Sequence, residues 1–124
     1  MKRVLVVEDD KINAYITRKF LERNYEVEIA ETPQLALEKV KANRYDLVIM
    51  DINLSNEEFT GVDLLKVIRS TAQFSDLPVI ALTAYAMQED RNRFLSEGFD
   101  QYLSKPVTKD QLIREIESLT PQES

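Results

Sequence analysis

Carboxylate side chains stand directly behind two aliphatic runs of the chain. Val4–Val7 is followed by Glu8–Asp10, and Leu47–Met50 is followed by Asp51. Carboxylates that lie close together repel one another, and a hard divalent cation with oxygen ligands relieves that repulsion. Mg²⁺ suits such a group because it accepts one or two carboxylates and keeps waters for a phosphoryl oxygen. These residues therefore indicate a magnesium and phosphoryl site, provided that the fold brings them together.

Two further polar residues follow later aliphatic runs. Thr83 comes after Val79–Leu82, and Lys105 comes shortly after Tyr102–Leu103. A lysine beside a magnesium site suits a phosphoryl group, whose charged oxygens need more than the metal to neutralise them. Singly, each polar residue has an ordinary explanation, and Asp10 in particular is as well placed to cap the next helix. Capping alone does not account for all of them at successive run ends.

The elements that must position these residues alternate along the chain. Strands are predicted for the short aliphatic runs, three of which are continuous, as burial on both faces requires: Val4–Val7, Val27–Ala30, Leu47–Met50, Val79–Leu82 and Tyr102–Leu103. Helical spacing follows each of them: Lys11–Asn24, Pro33–Asn43, Gly61–Thr71, Gln88–Glu97 and Thr108–Leu119. This alternation predicts an α/β fold in which a parallel sheet lies between two helical layers. Ligands of such sheets bind beyond the carboxyl ends of the strands.

Apolar positions predict which helix faces pack against the sheet. Thr32 and Thr108 are predicted helix N-caps. The segment Gln88–Glu97 carries few apolar residues, so we expect it to be the least securely packed helix. The inward stripe of the first helix is predicted to be Ile12, Ile16, Phe20 and Leu21.

Length and charge narrow the class of protein. With 124 residues and 14.4 kDa, we expect one domain over residues 1–124, with a core over 2–119 and a tail over 120–124. The net charge of −6 argues against nucleic-acid binding and against binding to anionic membranes. Since no apolar run approaches membrane-spanning length and no signal peptide is apparent, a cytoplasmic location is expected.

The residue types that are absent exclude further chemistry. The chain has no cysteine and no histidine, which removes disulfides, thiol nucleophiles, serine–histidine catalysis and any phosphohistidine within this chain. It has two glycines, so neither a P-loop nor a dinucleotide-binding glycine motif can be written in it.

Four spaced motifs carry a family resemblance. They are Glu8-Asp9 in Val-Val-Glu-Asp-Asp, Asp51 in Val-Ile-Met-Asp-Ile-Asn-Leu, Leu-Thr83-Ala84, and Gly98-Phe-Asp-Gln-Tyr-Leu-Ser-Lys105-Pro106. Together they resemble the receiver domains of two-component response regulators. The resemblance covers essentially residues 2–119 and implies the flavodoxin-like (βα)5 fold, a doubly wound five-stranded parallel sheet with strand order 2-1-3-4-5.

The resemblance implies a role for each residue of the acidic group. Asp51 resembles the phosphoacceptor, whose carboxylate attacks a phosphorus in line. Asp9 resembles the direct carboxylate ligand of Mg²⁺, and Glu8 resembles the residue that acts through a bound water. The backbone carbonyl of Asn53 would be the third protein ligand. Asp51 itself would bridge the metal and the phosphoryl group.

The resemblance also implies a switch and partners. Lys105 would pair with a phosphoryl oxygen, and the Lys105-Pro106 bond is a candidate cis peptide. Thr83 resembles the switch hydroxyl, and Tyr102 the aromatic switch residue. The implied output is a population shift of the surface made by the fourth helix, fifth strand and fifth helix. The implied partners are a sensor histidine kinase or histidine phosphotransfer protein and a downstream target protein. A receiver of this kind catalyses only its own phosphorylation and dephosphorylation.

The chain departs from the family pattern beside the acceptor. The spacing from Asp51 to Gly61 is 61 − 51 = 10, which is longer than the usual loop. Ser55 stands where the family usually has proline, and the loop Ser55–Thr60 is unusually polar and acidic. This loop is placed to alter donor access or phosphate lifetime, but it removes no catalytic group.

Three other functions are weighed against the receiver. An aspartate-nucleophile phosphatase of the haloacid dehalogenase type needs a second aspartate where Asn53 stands. A flavin binder of the same fold would have its phosphate repelled by Glu8–Asp10. A pseudo-receiver, which would act as a phosphorylation-independent interaction module, usually lacks an acidic residue or the lysine, and none is lost here. Because the chain stops after the fifth helix, we expect a stand-alone receiver, with an excised domain as the other possibility.

Overall fold

The computed structural model describes residues 1–52, 59–84 and 88–120. The strands are β1 Arg3–Val7, β2 Glu26–Ala30, β3 Leu47–Ile52, β4 Val79–Thr83 and β5 Gln101–Ser104. The helices are α1 Lys11–Leu21, α2 Pro33–Ala42, α3 Gly61–Ser70, α4 Gln88–Glu97 and α5 Lys109–Leu119. Strands and helices alternate throughout, as the sequence predicts.

All neighbouring strands pair in parallel, in the order β2-β1-β3-β4-β5. This confirms the flavodoxin-like fold. The register places Asp51 opposite Leu82, and Thr83 opposite both Ile52 and Ser104. Because the strands are parallel, their carboxyl ends lie along one edge of the sheet, which we call the site edge. The opposite edge, where the strands begin, we call the remote edge.

The sheet is covered on both faces. Below α2, α3 and α4 lies one apolar cluster, to which α3 contributes Leu64, Leu65 and Ile68. Below α1 and α5 lies a second, which includes Leu21, Leu112 and Ile116. Burial on both faces is the reason that the central strands are continuous aliphatic runs.

The inward face of α1 differs from the predicted stripe. Ile12 and Ile16 are exposed at 72% and 42%, whereas Ala14 and Leu21 are buried. Ala14 and Leu21 are two helical turns apart and lie on the same face of α1. Ile12 and Ile16 are each two residues from Ala14, which places them about 200° around the helix, on the opposite face. Phe20 packs against the cluster at its margin. The prediction was therefore wrong for Ile12 and Ile16, which form an exposed apolar surface.

Polar caps begin the helices close to the strand ends. The Asp10 carboxylate accepts hydrogen bonds from the backbone amides of Ile12 and Asn13, both at 2.9 Å. Thr32 and Thr108 cap α2 and α5 as predicted, and Thr60 caps α3 with a reciprocal bond from its own amide to Asp63. Asp10 is thus engaged in capping, which leaves Glu8 and Asp9 for the site edge.

The last described residue belongs to the packed structure. Thr120 is buried and caps the C-terminus of α5, and its hydroxyl accepts a hydrogen bond from Lys2 Nζ at 3.0 Å. The rest of the predicted tail, residues 121–124, lies outside the described residues. Among the described helices, none is long and apolar enough to cross a membrane.

Candidate functional site at the carboxyl ends of the strands

Three carboxylates meet at the site edge. One oxygen from each of Glu8, Asp9 and Asp51 lies within 4.8 Å of the others. Adjacent strands bring them together, because β1 and β3 pair with Val7 opposite Met50. Glu8 is buried and Asp9 is exposed, so the cluster is closed on the sheet side and open to solvent on the other. We call these three residues the acidic cluster.

Lys105 reaches the acidic cluster from the end of β5. Its Nζ lies 2.7 Å from Asp51 Oδ1 and 3.4 Å from Glu8 Oε1. Its backbone amide donates to the Thr83 carbonyl at 2.7 Å, which extends the β4–β5 pairing by one residue. The Lys105–Pro106 peptide bond is cis. The lysine is therefore held from its backbone while its ammonium group contacts two carboxylates.

Burial and the neighbouring carboxylate make Glu8 a weak acid. Desolvation disfavours its charged form, and hydrogen bonding and repulsion from Asp51 act in the same direction. Lys105 and the backbone amide of Asp10 oppose these effects without cancelling them. The pKa of Glu8 is raised from 4.5 to about 8, so the metal-free cluster carries a proton at neutral pH.

Lys105 remains charged in this environment. Burial alone would lower the pKa of its ammonium group, but contact with Asp51 and the nearby Glu8 outweighs burial. The pKa is therefore raised above its ordinary value of 10.5. A fixed positive charge beside Asp51 is suited to hold an anionic group at that carboxylate.

The donor set of the acidic cluster fits a hard cation. All three side chains offer carboxylate oxygens, the ligands that Mg²⁺ prefers, and Asp9 leaves the cluster accessible from solvent. Asn53, whose carbonyl was predicted as the third protein ligand, lies outside the described residues. So does most of the loop Ser55–Thr60, of which Thr60 is described as the cap of α3.

The two predicted switch residues lie on the strands beyond β3. Thr83 ends β4 and is fully buried, opposite Ile52, the residue that follows Asp51. The Tyr102 ring on β5 is buried and stacks on Phe94 of α4, with ring centroids 5.6 Å apart. Thr83 is thus on the strand next to that of Asp51, and the Tyr102 ring lies between β5 and α4.

Mg²⁺ binding is expected to strengthen as the pH rises toward and above about 8. A cation that uses the ionised cluster must displace the proton that Glu8 holds, since the pKa of Glu8 is about 8. Titration calorimetry at pH 7 in two buffers of different ionisation enthalpy should therefore detect proton release. In Glu8→Gln the release should disappear. Equal heats in both buffers for the native chain would contradict the raised pKa.

Stability of the metal-free protein should show the opposite pH trend. In the folded state Glu8 keeps a proton that the unfolded chain loses near pH 4.5. The free energy of unfolding should therefore fall as pH rises from about 4.5 to about 8. Denaturant titrations of the native chain and of Glu8→Gln should give free energies of unfolding that depend differently on pH in that window.

These features define a class: a doubly wound parallel domain with an acidic cluster and a lysine at its site edge. Residues 4–117 match the family model described as the response regulator receiver domain. The chain belongs to the receiver domain family of two-component response regulators.

Relatives of the same size support this membership. The chain is 34% identical over 118 residues to the polar-differentiation response regulator DivK of Brucella anthropi, with 94% of each chain covered. It is 30% identical to the receiver domain of the sensor histidine kinase PA1611 from Pseudomonas aeruginosa, with 95% and 96% covered and a TM-score of 0.85. That structure has a magnesium ion coordinated in its active-site cleft.

A third relative was solved with a beryllium fluoride. It is the response regulator TrrA of Thermotoga maritima in complex with Mg²⁺ and BeF. The chain is 33% identical to it, with 96% and 99% covered and a TM-score of 0.81.

Proposed function

We propose that this receiver accepts a phosphoryl group on Asp51 from a phosphohistidine of a sensor histidine kinase or a histidine phosphotransfer protein. The observation that carries the proposal is the contact between Lys105 Nζ and Asp51 Oδ1 at 2.7 Å, inside a cluster of three carboxylates. A nucleophilic carboxylate, a fixed ammonium group and oxygen ligands for a cation are the parts that phosphoryl transfer needs.

The transfer step follows from the side chains of the site. An Asp51 carboxylate oxygen attacks the phosphorus in line, the phosphorus–nitrogen bond of the donor breaks, and an acyl phosphate forms. The bond electrons and the neutralising proton stay with the departing imidazole. Lys105 pairs with a phosphoryl oxygen and so offsets the charge that gathers on the transferred group. The imidazole has to come from another protein, because this chain contains no histidine.

The metal ligands of this proposal are Glu8, Asp9, Asp51 and the Asn53 carbonyl. Mg²⁺, when bound, supplies positive charge that lets an anionic donor approach an anionic acceptor. The magnesium in the PA1611 receiver and the Mg²⁺ and BeF in TrrA support the same use of the cluster here. Asp9 is the exposed ligand of the cluster, which gives the cation a route from solvent.

The signal would leave the site through β4 and β5. In this proposal the Thr83 hydroxyl moves to bond the phosphoryl group, and the Tyr102 ring follows because it lies on β5, the strand that pairs with β4. The surface that changes is formed by α4, β5 and α5, where a downstream target protein would bind. Support comes from the position of Thr83 beside the acceptor strand and from the Tyr102–Phe94 stack against α4.

A pseudo-receiver that binds partners without phosphorylation is the second candidate. Its function requires neither the nucleophile nor the lysine, and so gives no reason for both residues to be present and in contact. The retained Lys105–Asp51 ion pair therefore favours the phosphoacceptor.

Intact mass after incubation with acetyl phosphate tests the proposal. With Mg²⁺ we expect one phosphoryl adduct, which hydroxylamine removes because it cleaves acyl phosphates. With EDTA in place of Mg²⁺ no adduct should form. If no adduct forms, and Mg²⁺ with beryllofluoride also leaves the melting temperature and spectra unchanged, the phosphoacceptor function is wrong.

A further inference from the structure

One arginine joins three segments at the remote edge of the sheet. Arg69 lies in the last turn of α3 with its side chain 25% exposed. Its guanidinium donates to the carbonyls of Ser75 at 3.0 Å and Leu77 at 2.6 Å, just before β4. It also donates to the Gly98 carbonyl at 3.0 Å, in the turn between α4 and β5. A planar guanidinium with several fixed donors suits such a multiple contact better than an ammonium group does.

The same guanidinium holds Asp100, the residue before β5. Arg69 Nη2 lies 2.7 Å from Asp100 Oδ2, and that oxygen also accepts from the Val79 amide at 2.8 Å. The Asp100 amide donates to the Val79 carbonyl at 2.9 Å. Asp100 therefore starts the β4–β5 pairing with bonds from both its backbone and its side chain. Arg69 and Asp100 together fix where β5 begins.

The turn that they hold has a backbone conformation that favours glycine. Gly98 adopts a φ of +118°, which L side chains rarely adopt, and a Cβ there would lie 3.5 Å from Arg69 Cγ. Its amide and that of Phe99 donate back to the Leu95 and Phe94 carbonyls at the end of α4. The end of α4 and the start of β5 are thus one compact junction, which we call the α4–β5 junction.

Two other contacts hold β5 and α5, which belong to the proposed output surface, at the remote edge. Gln101 Nε2, at the start of β5, donates to Glu115 of α5 at 3.0 Å. Lys2 Nζ, just before β1, donates to the Thr120 hydroxyl at the end of α5 at 3.0 Å. All three elements of the proposed output surface are therefore tied at their remote ends.

The body of α4 is held much less firmly. From Arg91 to Glu97, Phe94 is the buried residue, and Leu95 and Glu97 are half-buried. One carboxylate oxygen of Glu97 is buried without a hydrogen-bond partner among the described residues, which disfavours this packing. Phe94 packs on Tyr102 and Phe99, so the helix rests on an aromatic contact next to the junction.

We propose that Arg69 and Asp100 form an anchor that keeps the α4–β5 junction fixed while the rest of α4 rearranges. The inference rests on the proposed phosphorylation switch and concerns its regulation. A change at Thr83 then displaces the site-edge part of α4 about a pivot near Gly98. Without the anchor, the change would spread through the junction and loosen β5 from β4.

Backbone amide NMR of the full chain tests the anchor. In the native protein, Mg²⁺ with beryllofluoride should shift amide resonances of Thr83, Tyr102 and Arg91–Leu95, and leave Gly98–Gln101 nearly unchanged. In Arg69→Met the shifts should extend across Gly98–Gln101. Without ligand, Arg69→Met should also raise the amide exchange rates of Asp100 and Gly98 by about tenfold or more, since local opening is no longer opposed.

Controls separate the anchor from general destabilisation. Arg23→Met changes an exposed arginine after α1 and should behave like the native chain. Should Arg69→Met fail to fold, Asp100→Asn keeps an acceptor for Val79 but loses the charge, and should give the same pattern with smaller changes. Native junction resonances that shift as much as those of α4, or an Arg69→Met response like the native one, would overturn the proposal.

The ligand-free exchange measurement distinguishes the two proposals. If beryllofluoride changes no resonance of the native chain, the phosphorylation switch fails and the anchor is judged on exchange alone. Unchanged exchange at Asp100 and Gly98 in Arg69→Met would then exclude the anchor as well.

Discussion

Replacing Asp51 by asparagine is expected to abolish the phosphoryl adduct with acetyl phosphate and Mg²⁺. The amide keeps the size of the side chain but lacks the charged nucleophilic oxygen, and the substitution removes one carboxylate from the acidic cluster. The fold should persist, because Asn can occupy the end of β3 in the same conformation. The measurement is intact mass over a time course, in which no adduct should appear when the native chain is fully modified.

Asp10→Asn is the matched control for that experiment. Asp10 is a neighbouring carboxylate, but its oxygen caps α1, and asparagine caps helices about as well as aspartate. This variant should form the adduct at a rate close to the native one. Adduct formation in Asp51→Asn would show that a different residue accepts the phosphoryl group, and equal loss in both variants would point to general damage to the cluster.

The stability of Asp51→Asn should also depend on pH differently from that of the native chain. Burial, hydrogen bonding to Asp51 and repulsion from Asp51 together raise the pKa of Glu8 to about 8. Without that charge, the pKa of Glu8 should move back toward its ordinary value of 4.5, although burial still opposes full recovery. The stability of the variant should therefore fall less steeply with rising pH than that of the native chain.

The residues of the acidic cluster could be predicted because their positions follow from strand topology. Glu8, Asp9 and Asp51 each stand just behind a continuous aliphatic run, and parallel pairing necessarily brings such ends to one edge. Lys105 was predicted in the same way, although the run before it is short. The strand order itself came from the family resemblance, since alternation predicts a parallel sheet but not its order.

The inward face of α1 could not be predicted from periodicity alone. The helix carries two candidate stripes, and the larger residues Ile12 and Ile16 suggested the wrong one. Ala14 is buried together with Leu21, although its side chain offers much less apolar area than either isoleucine. The spacing of large apolar residues therefore does not identify the packed face of a helix when a small residue lies on that face.

The anchor around Arg69 gave no signal in the sequence. Apart from Asp100, its partners are the backbone carbonyls of Ser75, Leu77 and Gly98, which every residue type would offer. An arginine in the last turn of a helix is also an ordinary surface residue. Only the three-dimensional arrangement of the turns before β4 and β5 distinguishes Arg69 from Arg23.

Replacing Lys105 by methionine is expected to slow adduct formation by about 100-fold, the usual effect of removing one group that stabilises developing charge. The methionine fills similar space but offers no charge to the phosphoryl oxygens. The measurement is the initial rate of adduct formation at saturating Mg²⁺. Lys109→Met, which changes an exposed lysine at the start of α5, should leave that rate unchanged.

Although Lys105→Met should react more slowly, it should bind Mg²⁺ more tightly than the native chain does. The native ammonium group lies 2.7 Å from Asp51 and 3.4 Å from Glu8, so it competes with a cation for the same oxygens. Without it, the carboxylates repel each other more strongly and a divalent cation relieves more repulsion. Tighter Mg²⁺ binding by calorimetry together with a slower reaction would identify Lys105 as a group that acts on the phosphoryl oxygens. Weaker binding together with the slower reaction would instead mean that the lysine mainly maintains the shape of the cluster.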